Sequence, residues 1–358
     1  MRILFIHQNF PGQFKHLARH YGADPRNEVV FLTQRKEVEI PGVRKVVYEN
    51  HRQPGKETHR YLHSLESGVI YGQSAARAAL ELKQKGFVPD VIVAHPGWGE
   101  ALYMKDVFPD TPLLNYFEFF FHAEGGDTGF DPEFQTVPDV DEAAAIRTRN
   151  ALHLLNLEAC DWGLSPTRWQ WSRHPEVYRP RISVIHEGVD TREMAPNPSA
   201  RLEFSRGDVL GREDEVITFV ARNLEPYRGF HTFMRAAAII ARRRPKAHFV
   251  LIGGSETSYG RQLPDGQTYR EKMLEEVELD MDRVHFLGRV PYGQFRQVLQ
   301  ASSVHVYLTY PFVLSWSMLE AMACGCPVLG SATPPVAEVI KHGTNGLLVQ
   351  FFSPAAVE

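Results

Sequence analysis

Two arginines in the second half of the chain have the type and spacing needed to bind an anionic ligand. Arg222 and Arg228 flank a loop that ends an apolar strand and opens a helix at Gly229. Guanidinium groups match pairs of phosphate oxygens, and the amides of a helix N-terminus favour negative charge. The loop is therefore predicted to clamp a diphosphate, with ordinary surface arginines as the alternative.

A single carboxylate, Glu320, lies inside the apolar stretch 305–331. The pattern there is typical of a strand at 304–308, a loop with Pro311, a helix, and a second strand at 327–329. Glutamates on helices are usually solvated, which is the simplest interpretation of Glu320. The alternative is a ligand site where the sheet meets the N-terminus of this helix.

In the first half, Glu118 lies among the four phenylalanines of residues 117–121. A carboxylate is costly to bury without partners, so Glu118 is predicted either to be hydrogen-bonded within the protein or to contact a ligand, and we favour the ligand. His95 closes the preceding strand and could face the same crevice. A hydrogen-bonded structural role is the simpler interpretation of that histidine.

The loop after the first strand, residues 7–13, is a weaker candidate. Gly12 would let the backbone approach a ligand closely, just before a helix that starts near Gln13. An ordinary strand-to-helix turn explains the glycine equally well. No G-x-G-x-x-G follows this strand, which disfavours a dinucleotide-dependent dehydrogenase.

The elements that would position these residues alternate along the chain, which predicts parallel β-α-β units and an α/β fold. Strands are predicted at 3–6, 29–32, 43–48, 91–94, 113–117, 163–165 and 182–185, then at 216–220, 248–252 and 284–287, ahead of the strand pair in 305–331. Helices are predicted at 59–85, 139–161, 229–242, 269–278 and 292–301. Ligands of such sheets bind beyond the carboxyl ends of the strands, where Gly12, Glu118 and the arginine loop fall.

Length and composition limit the class of protein. With 358 residues, the chain is long enough for two domains, and a polar, proline-bearing stretch after Glu187 marks the boundary between domains 1–188 and 189–358. The 39 basic and 43 acidic side chains give no overall attraction to nucleic acid. No segment approaches the roughly 20 apolar residues that span a bilayer. The three cysteines favour a reducing cytoplasm over a disulfide framework, and their spacing disfavours a metal site.

Basic and aromatic side chains alternate through residues 168–181. Packing of arginine stems on aromatic rings is the simplest explanation. Contact with a lipid headgroup or a sugar acceptor is the alternative, so peripheral attachment to the inner membrane stays open beside a free cytoplasmic location.

Three features occur together: Arg222 with Arg228-Gly229, the linker Gly188-Val-Asp190, and the run Leu-Glu-Ala-Met-Ala-Cys-Gly-Cys-Pro-Val at 319–328. In this combination the chain resembles the family 4 glycosyltransferases, retaining enzymes of the GT-B fold that use nucleotide-activated sugars. The resemblance is strongest over residues 182–349. It implies two Rossmann-like doubly wound domains facing a cleft, an acceptor-side domain first and a nucleotide-sugar domain second. The second domain is expected to lack the terminal helices of the family, since the sequence ends soon after Val349.

The resemblance also assigns roles to single residues. Arg222 and Arg228 would bind the diphosphate, and Glu320 would accept hydrogen bonds from the ribose hydroxyls. Gly12 would approach the phosphate or the acceptor. Backbone amides at the start of the helix would reach the distal phosphate, and other positions would lie near the base. These donor-binding positions are Trp316 and Ser317 at the helix start, Leu314 and Ser315 before it, and Gly254, Arg289 and Val290 near the base.

The chain departs from the family pattern in three ways. Phe312 replaces a glutamate that contacts the donor sugar, Leu314-Ser315 replaces a Phe-Gly pair, and Glu118 replaces a histidine. Each departure concerns sugar recognition or the reacting centre, whereas the nucleotide-binding residues are intact.

The sequence therefore predicts a metal-independent hexosyltransferase with no cofactor, whose donor substrate is a nucleotide diphosphate sugar and whose acceptor is a glycan, a lipid-linked sugar or a small molecule. Glu118, Arg222 and Arg228 are the predicted catalytic residues. Two alternatives are a nucleotide-sugar-binding protein with little transfer activity and a GT-B-like nucleotide-sugar epimerase. A nucleic-acid partner is not expected.

Overall fold

The computed structural model describes residues 1–204 and 207–357. The chain forms two compact units. The first contains Met1–Glu124 and Pro138–Gly188, and the second contains Gly125–Val137 and Val189–Glu358.

The first unit is a parallel sheet with helices on both faces. Its strands are β1 Arg2–Ile6, β2 Glu28–Thr33, β3 Val43–Val47, β4 Val91–Ala94, β5 Leu113–Tyr116, β6 Trp162–Ser165 and β7 Ile182–Val184. Its helices are α1 Lys15–Gly22, α2 His63–Gln84, α3 Met104–Val107, α4 Val140–Arg149, α5 Ala151–Ala159 and α6 Arg168–Ser172. The strand order is β3-β2-β1-β4-β5-β6-β7, and it confirms all the strands predicted for this half.

The apolar strands form because both of their faces are covered. In β1, Leu4 and Ile6 pack into one core cluster, and Ile3 and Phe5 pack into another on the opposite face. Successive side chains of a strand point to opposite faces, so a continuous apolar run is what a doubly covered parallel sheet requires. The order reverses between β1 and β4, which places the loops after these strands at a topological switch point.

One predicted helix is wrong in its extent. The expected helix at 139–161 is two helices, α4 and α5, which meet at Asn150. The buried Asn150 side chain accepts from the amide of Phe121 at 3.0 Å and donates to its carbonyl at 2.8 Å. These bonds to a distant loop fix Asn150 where the helix is interrupted, and the sequence pattern does not contain them.

The second unit contains a six-stranded parallel sheet of order β12-β11-β10-β13-β14-β15. Its strands are β8 Arg201–Glu203, β9 Val209–Gly211, β10 Val216–Asn223, β11 His248–Gly254, β12 Val284–Gly288, β13 Val304–Tyr307, β14 Val328–Ser331 and β15 Leu347–Val349. Its helices are α7 Phe230–Arg243, α8 Tyr269–Glu276, α9 Tyr292–Ala301, α10 Trp316–Ala323, α11 Pro334–Val339 and α12 Pro354–Val357. The predicted Rossmann-like α/β architecture is thus confirmed in both units. The β8–β9 pair is a separate antiparallel hairpin that the sequence did not indicate.

A segment from the middle of the chain, Gly125–Val137, folds with the second unit. Its Phe130 ring packs 5.1 Å from Tyr310 and 5.3 Å from Phe351. Its Asp131 carboxylate is buried and accepts from the Tyr310 hydroxyl at 2.6 Å. Sequence analysis placed this segment in the first domain, because nothing in its composition shows which core it joins.

No helix in the described ranges is both long and apolar enough to cross a bilayer.

Candidate functional site

The arginine loop connects β10 to α7 through a short turn at Pro226–Arg228. Arg222 lies at the end of β10 with an exposed side chain. Within residues 1–204 and 207–357 its guanidinium group makes no hydrogen bond and no ion pair. Its full set of guanidinium donors therefore remains for an anion from solution.

Arg228 is placed differently, because its side chain is only 6 % exposed. Its Nη1 atom donates to the carbonyl of Val313 at 2.8 Å and to the hydroxyl of Thr309 at 2.9 Å, and it lies 3.3 Å from the hydroxyl of Tyr307. Arg228 thus ties its turn to the loop that leads from β13 into α10. Its Nε and Nη2 atoms donate to no acceptor in the described part of the chain, so this edge is the one left for a ligand.

Gly229 explains how the turn comes so close to β13. Its φ is +69°, a left-handed conformation that favours glycine. A Cβ atom there would lie 2.4 Å from the Cβ of Leu308. A glycine after Arg228 is therefore required both by the backbone angle and by the packing.

Helix α10 begins after Ser315, whose own amide donates to the Tyr307 hydroxyl at 2.7 Å. The Ser315 side chain forms no capping hydrogen bond. Trp316 is 38 % exposed at the first position of the helix, and Ser317 and Leu314 are buried. An N-terminus without a side-chain cap keeps amides that can bind an anionic group.

Glu320 lies one turn into α10 and is buried. One of its oxygens accepts from the hydroxyl of Tyr292, the first residue of α9, at 2.7 Å. Burial and this carboxylate raise the pKa of the Tyr292 phenol above its usual range, so the phenol stays a donor. Tyr292 orients Glu320, and sequence analysis missed it because the two residues are 28 positions apart.

A cavity of about 660 Å³ opens at the carboxyl ends of β11 and β12. Gly254 and Arg289 line it, as does Phe286, whose ring lies 4.1 Å from the Arg270 guanidinium. Val290 follows directly in the chain but is not among the described lining residues. Arg270 is a further lining residue that sequence analysis missed, because it lies on α8.

Phe312 is buried beside the arginine turn. Its ring meets those of Tyr259 at 5.0 Å and Tyr227 at 5.5 Å, both edge-on. The Arg228 guanidinium carbon lies 5.7 Å from the centroid of the Phe312 ring. Arg228 therefore lies against aromatic rings on this side.

In the first unit, Glu118 follows β5 and lies at the end of a chain of hydrogen bonds. Its Oε1 atom accepts from the Gln13 side-chain amide at 2.8 Å, and the Gln13 carbonyl oxygen is 2.6 Å from Nε2 of His7. The Nδ1 atom of His7 accepts from the Asn9 amide at 2.9 Å. Burial, with the nearby His95, lowers the pKa of His7 well below its usual value, so the ring is neutral and its proton is on Nε2. Each donor in this series of hydrogen bonds points along it toward Glu118. This direction is the one that an ionised Glu118 carboxylate requires, because it can only accept.

His95 approaches the other oxygen of Glu118. Its Nε2 atom is 3.4 Å from Oε2, and its Nδ1 atom accepts from the amide of Gly97 at 3.2 Å. The His95 ring is buried between those of His7 at 4.9 Å and Trp98 at 4.7 Å. The two readings of His95 are therefore compatible, since it has a local hydrogen bond and also faces Glu118.

Packing against His7 explains why residue 12 is a glycine, and the sequence did not show this. A Cβ atom at this position would lie 2.4 Å from Nε2 of His7, and its φ is +52°. The glycine therefore makes room for the histidine that holds Gln13.

Two arginines of residues 168–181 donate to backbone carbonyls. Arg179 donates to the carbonyls of His174 at 2.8 Å and Ser172 at 2.7 Å, and Arg181 donates to that of Leu157 at 3.2 Å. Their guanidinium carbons also lie close to aromatic rings, that of Arg179 at 5.5 Å from the centroid of Trp171 and that of Arg181 at 5.7 Å from the centroid of Tyr178. These ring contacts support the packing interpretation of the segment.

Two family models cover most of the chain. The model described as glycosyl transferase family 4 group matches residues 25–194, and the model described as glycosyl transferases group 1 matches residues 203–358. The chain belongs to the family 4 glycosyltransferases. The family shown here is the one that the run at 319–328 and the arginine pair indicated.

The chain is similar to several curated proteins that are named D-inositol 3-phosphate glycosyltransferase. That of Mycolicibacterium gilvum (strain PYR-GCK) is 27% identical over 236 residues, which is 64% of this chain and 47% of the relative. That of Corynebacterium jeikeium (strain K411) is 30% identical over 178 residues, or 49% of this chain and 41% of the relative. The chain thus spans about half the length of the curated relatives it matches.

Solved structures share the fold. Anabaena Alr3699/HepE in complex with UDP-glucose superimposes with a TM-score of 0.66 at 17% identity, covering 98% of this chain and 85% of that one. Sucrose-phosphate synthase (tll1590) from Thermosynechococcus elongatus gives a TM-score of 0.73 at 18% identity, covering 100% of this chain and 88% of that one. These neighbours confirm the GT-B fold class.

Proposed function

We propose that the protein is a retaining glycosyltransferase that moves a hexose-type sugar from a nucleotide diphosphate donor to an acceptor, without a resident metal. The observation that carries the proposal is at the β10–α7 turn. Arg222, and the Nε and Nη2 edge of Arg228, have no acceptor among the described residues, and Arg228 is tied through Val313 to the loop before the uncapped helix α10.

The diphosphate, the ribose and the base of the donor each have a candidate binding feature in the second unit. The diphosphate would bind the arginine edge and the first amides of α10. Glu320, oriented by Tyr292, would accept from the ribose hydroxyls. The base would enter the cavity lined by Gly254 and Arg289. A structural neighbour holds UDP-glucose, so a UDP-linked hexose is the first donor to test.

Leaving-group stabilisation is the main catalytic effect in this account. When the bond between the anomeric carbon and the diphosphate breaks, its electron pair stays with the phosphate oxygen. Fixed donors aimed at that oxygen stabilise the growing charge more than they stabilise the intact donor. Arg222, Arg228 and the α10 amides are suited to this role.

Glu118 is proposed to contact the acceptor hydroxyl or the transferred sugar. Gln13 donates to one of its oxygens, and Nε2 of His95 lies 3.4 Å from the other. A carboxylate fixed in this way can accept a hydrogen bond from a hydroxyl group and hold its oxygen in position for attack. The curated relatives are named for D-inositol 3-phosphate, which is therefore the first acceptor to test.

The experiment incubates the protein with UDP-, GDP- and ADP-linked hexoses, with and without D-inositol 3-phosphate, and follows the anomeric proton signals by NMR. Transfer or slow donor hydrolysis with the α or β configuration kept supports the proposal. Binding without turnover would indicate a nucleotide-sugar-binding protein, and sugar inversion without an acceptor would indicate an epimerase. Unchanged turnover in both Glu118→Gln and Arg222→Ala would overturn the site assignment.

A further inference from the structure

Glu225 is a buried carboxylate in the turn that joins the two arginines. Its side chain is 0 % exposed. Oε1 accepts from the amide of Ser258 at 3.1 Å, and Oε2 accepts from the amides of Tyr259 at 3.1 Å and Gly260 at 2.9 Å. Consecutive backbone amides that converge on one point form a concave anion site, and here the anion is a side chain of the protein itself.

Residues on either side of the loop held by Glu225 line the 660 Å³ cavity, whereas Ser258, Tyr259 and Gly260 are not among the described residues that line it. The flanking lining residues are Ser255, Glu256 and Thr257 before the held amides and Gln262 and Leu263 after them. Glu225 is not one of the described lining residues. Any effect of Glu225 on a bound nucleoside must therefore pass through the loop.

Asn223 strengthens the same connection. Its amide nitrogen donates to the Ser258 hydroxyl at 2.6 Å, and its carbonyl oxygen accepts from Nη2 of Arg289 at 3.1 Å. Asn223 is buried, and it links the 258–260 loop and the cavity-lining Arg289 to the end of β10. The strand and turn that carry Arg222 and Arg228 thus also hold Arg289 and the loop that connects the lining residues 255–257 to 262–263.

We propose that Glu225 is a positioning residue for the donor nucleotide: its carboxylate fixes the 258–260 loop in register with Arg222 and Arg228, so that the cavity and the diphosphate clamp are formed together. The inference rests on the proposed function, since it takes the cavity to be the nucleoside site. The ligand class is a nucleoside diphosphate, alone or with its sugar.

The physical reason is the cost of ordering a loop. Without Glu225, three backbone amides lose their acceptor within the protein and donate to water molecules instead. The loop then gains alternative conformations. Binding a nucleotide would then have to order the loop again, and that ordering free energy is subtracted from the affinity. The coupling is expected to weaken binding by roughly tenfold, within the 5–150-fold range typical of coupled sites.

The test uses the full chain and calorimetric titration with UDP, GDP and ADP. For the nucleotide that the wild type binds, Glu225→Ala is expected to lower the affinity roughly tenfold. Acetate has the same two carbons that this substitution removes, a methyl carbon in place of Cγ and the carboxylate carbon, so added acetate is expected to restore much of the lost affinity. Hydrogen exchange at residues 258–260 is expected to accelerate in the variant and to slow again with acetate.

Two further variants complete the design. Glu225→Gln keeps the side-chain volume but turns an NH2 group toward the loop amides. It should therefore lower the affinity for the nucleotide, and acetate should not restore that affinity. This variant replaces the alanine variant if the latter does not fold. Glu213→Ala removes a carboxylate that is 61 % exposed and paired with Arg201, and it should leave affinity and acetate response unchanged.

The outcomes separate the two proposals. If the wild type binds none of the three nucleotides, the proposed function fails and this inference fails with it. If the wild type binds one and the folded Glu225 variants bind it within twofold of wild type, only the inference is overturned. Restored amide protection without restored affinity would also overturn it, because Glu225 would then be structural only.

Discussion

At the scale of single residues, the two arginines of the β10–α7 loop do different things. Arg222 is exposed and its donors are available, whereas Arg228 uses Nη1 to hold the Val313 carbonyl and two hydroxyls. The sequence could predict the pair, since guanidinium spacing next to a strand end is visible in the residue order. It could not predict that one arginine is buried, because its acceptors lie about eighty positions away.

The partners of the carboxylates were hidden for the same reason. Glu118 was recognised as a carboxylate that needs partners, and its partner Gln13 is 105 positions earlier. Glu225 lies between two arginines and could have been noticed as an unusual acid in a basic loop. Its buried position and its three amide donors depend on the fold.

Glu100 supplies a pH prediction at this scale. Burial raises the pKa of its carboxyl from 4.5 to about 7, while the Tyr48 hydroxyl donates to it at 2.8 Å. The folded state therefore holds this proton more tightly than the unfolded state does. The contribution of protonated Glu100 to the free energy of unfolding is complete below pH 4.5 and is lost as the pH rises to about 7. The loss is on the order of 3 kcal/mol.

Urea unfolding of the wild type and Glu100→Gln at pH 5 and pH 8 measures this effect. The amide has no proton to lose, so the free energy of unfolding of the variant should fall less over this interval than that of the wild type. Subtracting the two proteins removes the contribution of buried histidines, which have the opposite sign. Identical pH dependence in both would show that Glu100 is not the titrating group.

At the scale of elements, the strands could be predicted well and the short irregular elements poorly. Buried parallel strands such as β1 and β10 give continuous apolar runs, which identify them without any tertiary information. The three-residue strands of the β8–β9 hairpin are too short for such a signal. The break between α4 and α5 depends on bonds from Asn150 to a separate loop.

The Gly229 turn gives a prediction about one element. Gly229→Ala introduces a Cβ atom 2.4 Å from Leu308 in a left-handed backbone, so it should lower the free energy of unfolding by about 2–4 kcal/mol. Gly343→Ala is the matched control, because φ there is +73° and nothing lies within 4 Å of the added atom. Denaturant unfolding should show a loss of about 1 kcal/mol for the control. Equal losses would mean that close packing at Gly229 contributes nothing.

At the scale of the whole molecule, the chain does not divide into two continuous halves. Gly125–Val137 lies in sequence between β5 and α4 of the first unit but packs in the second. The family resemblance predicted the two Rossmann-like units, because the motifs that carry it are local. The place of this segment could not be predicted, since Asp131 and Phe130 find their partners only in the folded second unit.

Asp131 tests the importance of that segment. Asp131→Ala removes the acceptor of the Tyr310 hydroxyl and leaves that hydroxyl buried, which should lower stability by about 1–3 kcal/mol. Hydrogen exchange should accelerate in α7, whose His231 lies 3.3 Å from the carboxylate, and should not change in β1. Tyr310→Phe is the companion variant and should accelerate the same region. Faster exchange confined to the first unit would contradict the assignment of this segment.

Calorimetric titration of UDP, GDP and ADP into the wild type and Arg222→Ala tests the central claim, that the second unit binds a nucleotide diphosphate through its arginine loop. We predict that the wild type binds at least one of the three. Loss of a hydrogen bond to a charged group is worth about 1.5–3 kcal/mol, so Arg222→Ala should weaken that nucleotide at least tenfold. The stability of the free protein should not change, since Arg222 is exposed. Binding of none of the three nucleotides, or equal affinity in wild type and variant, would contradict the account.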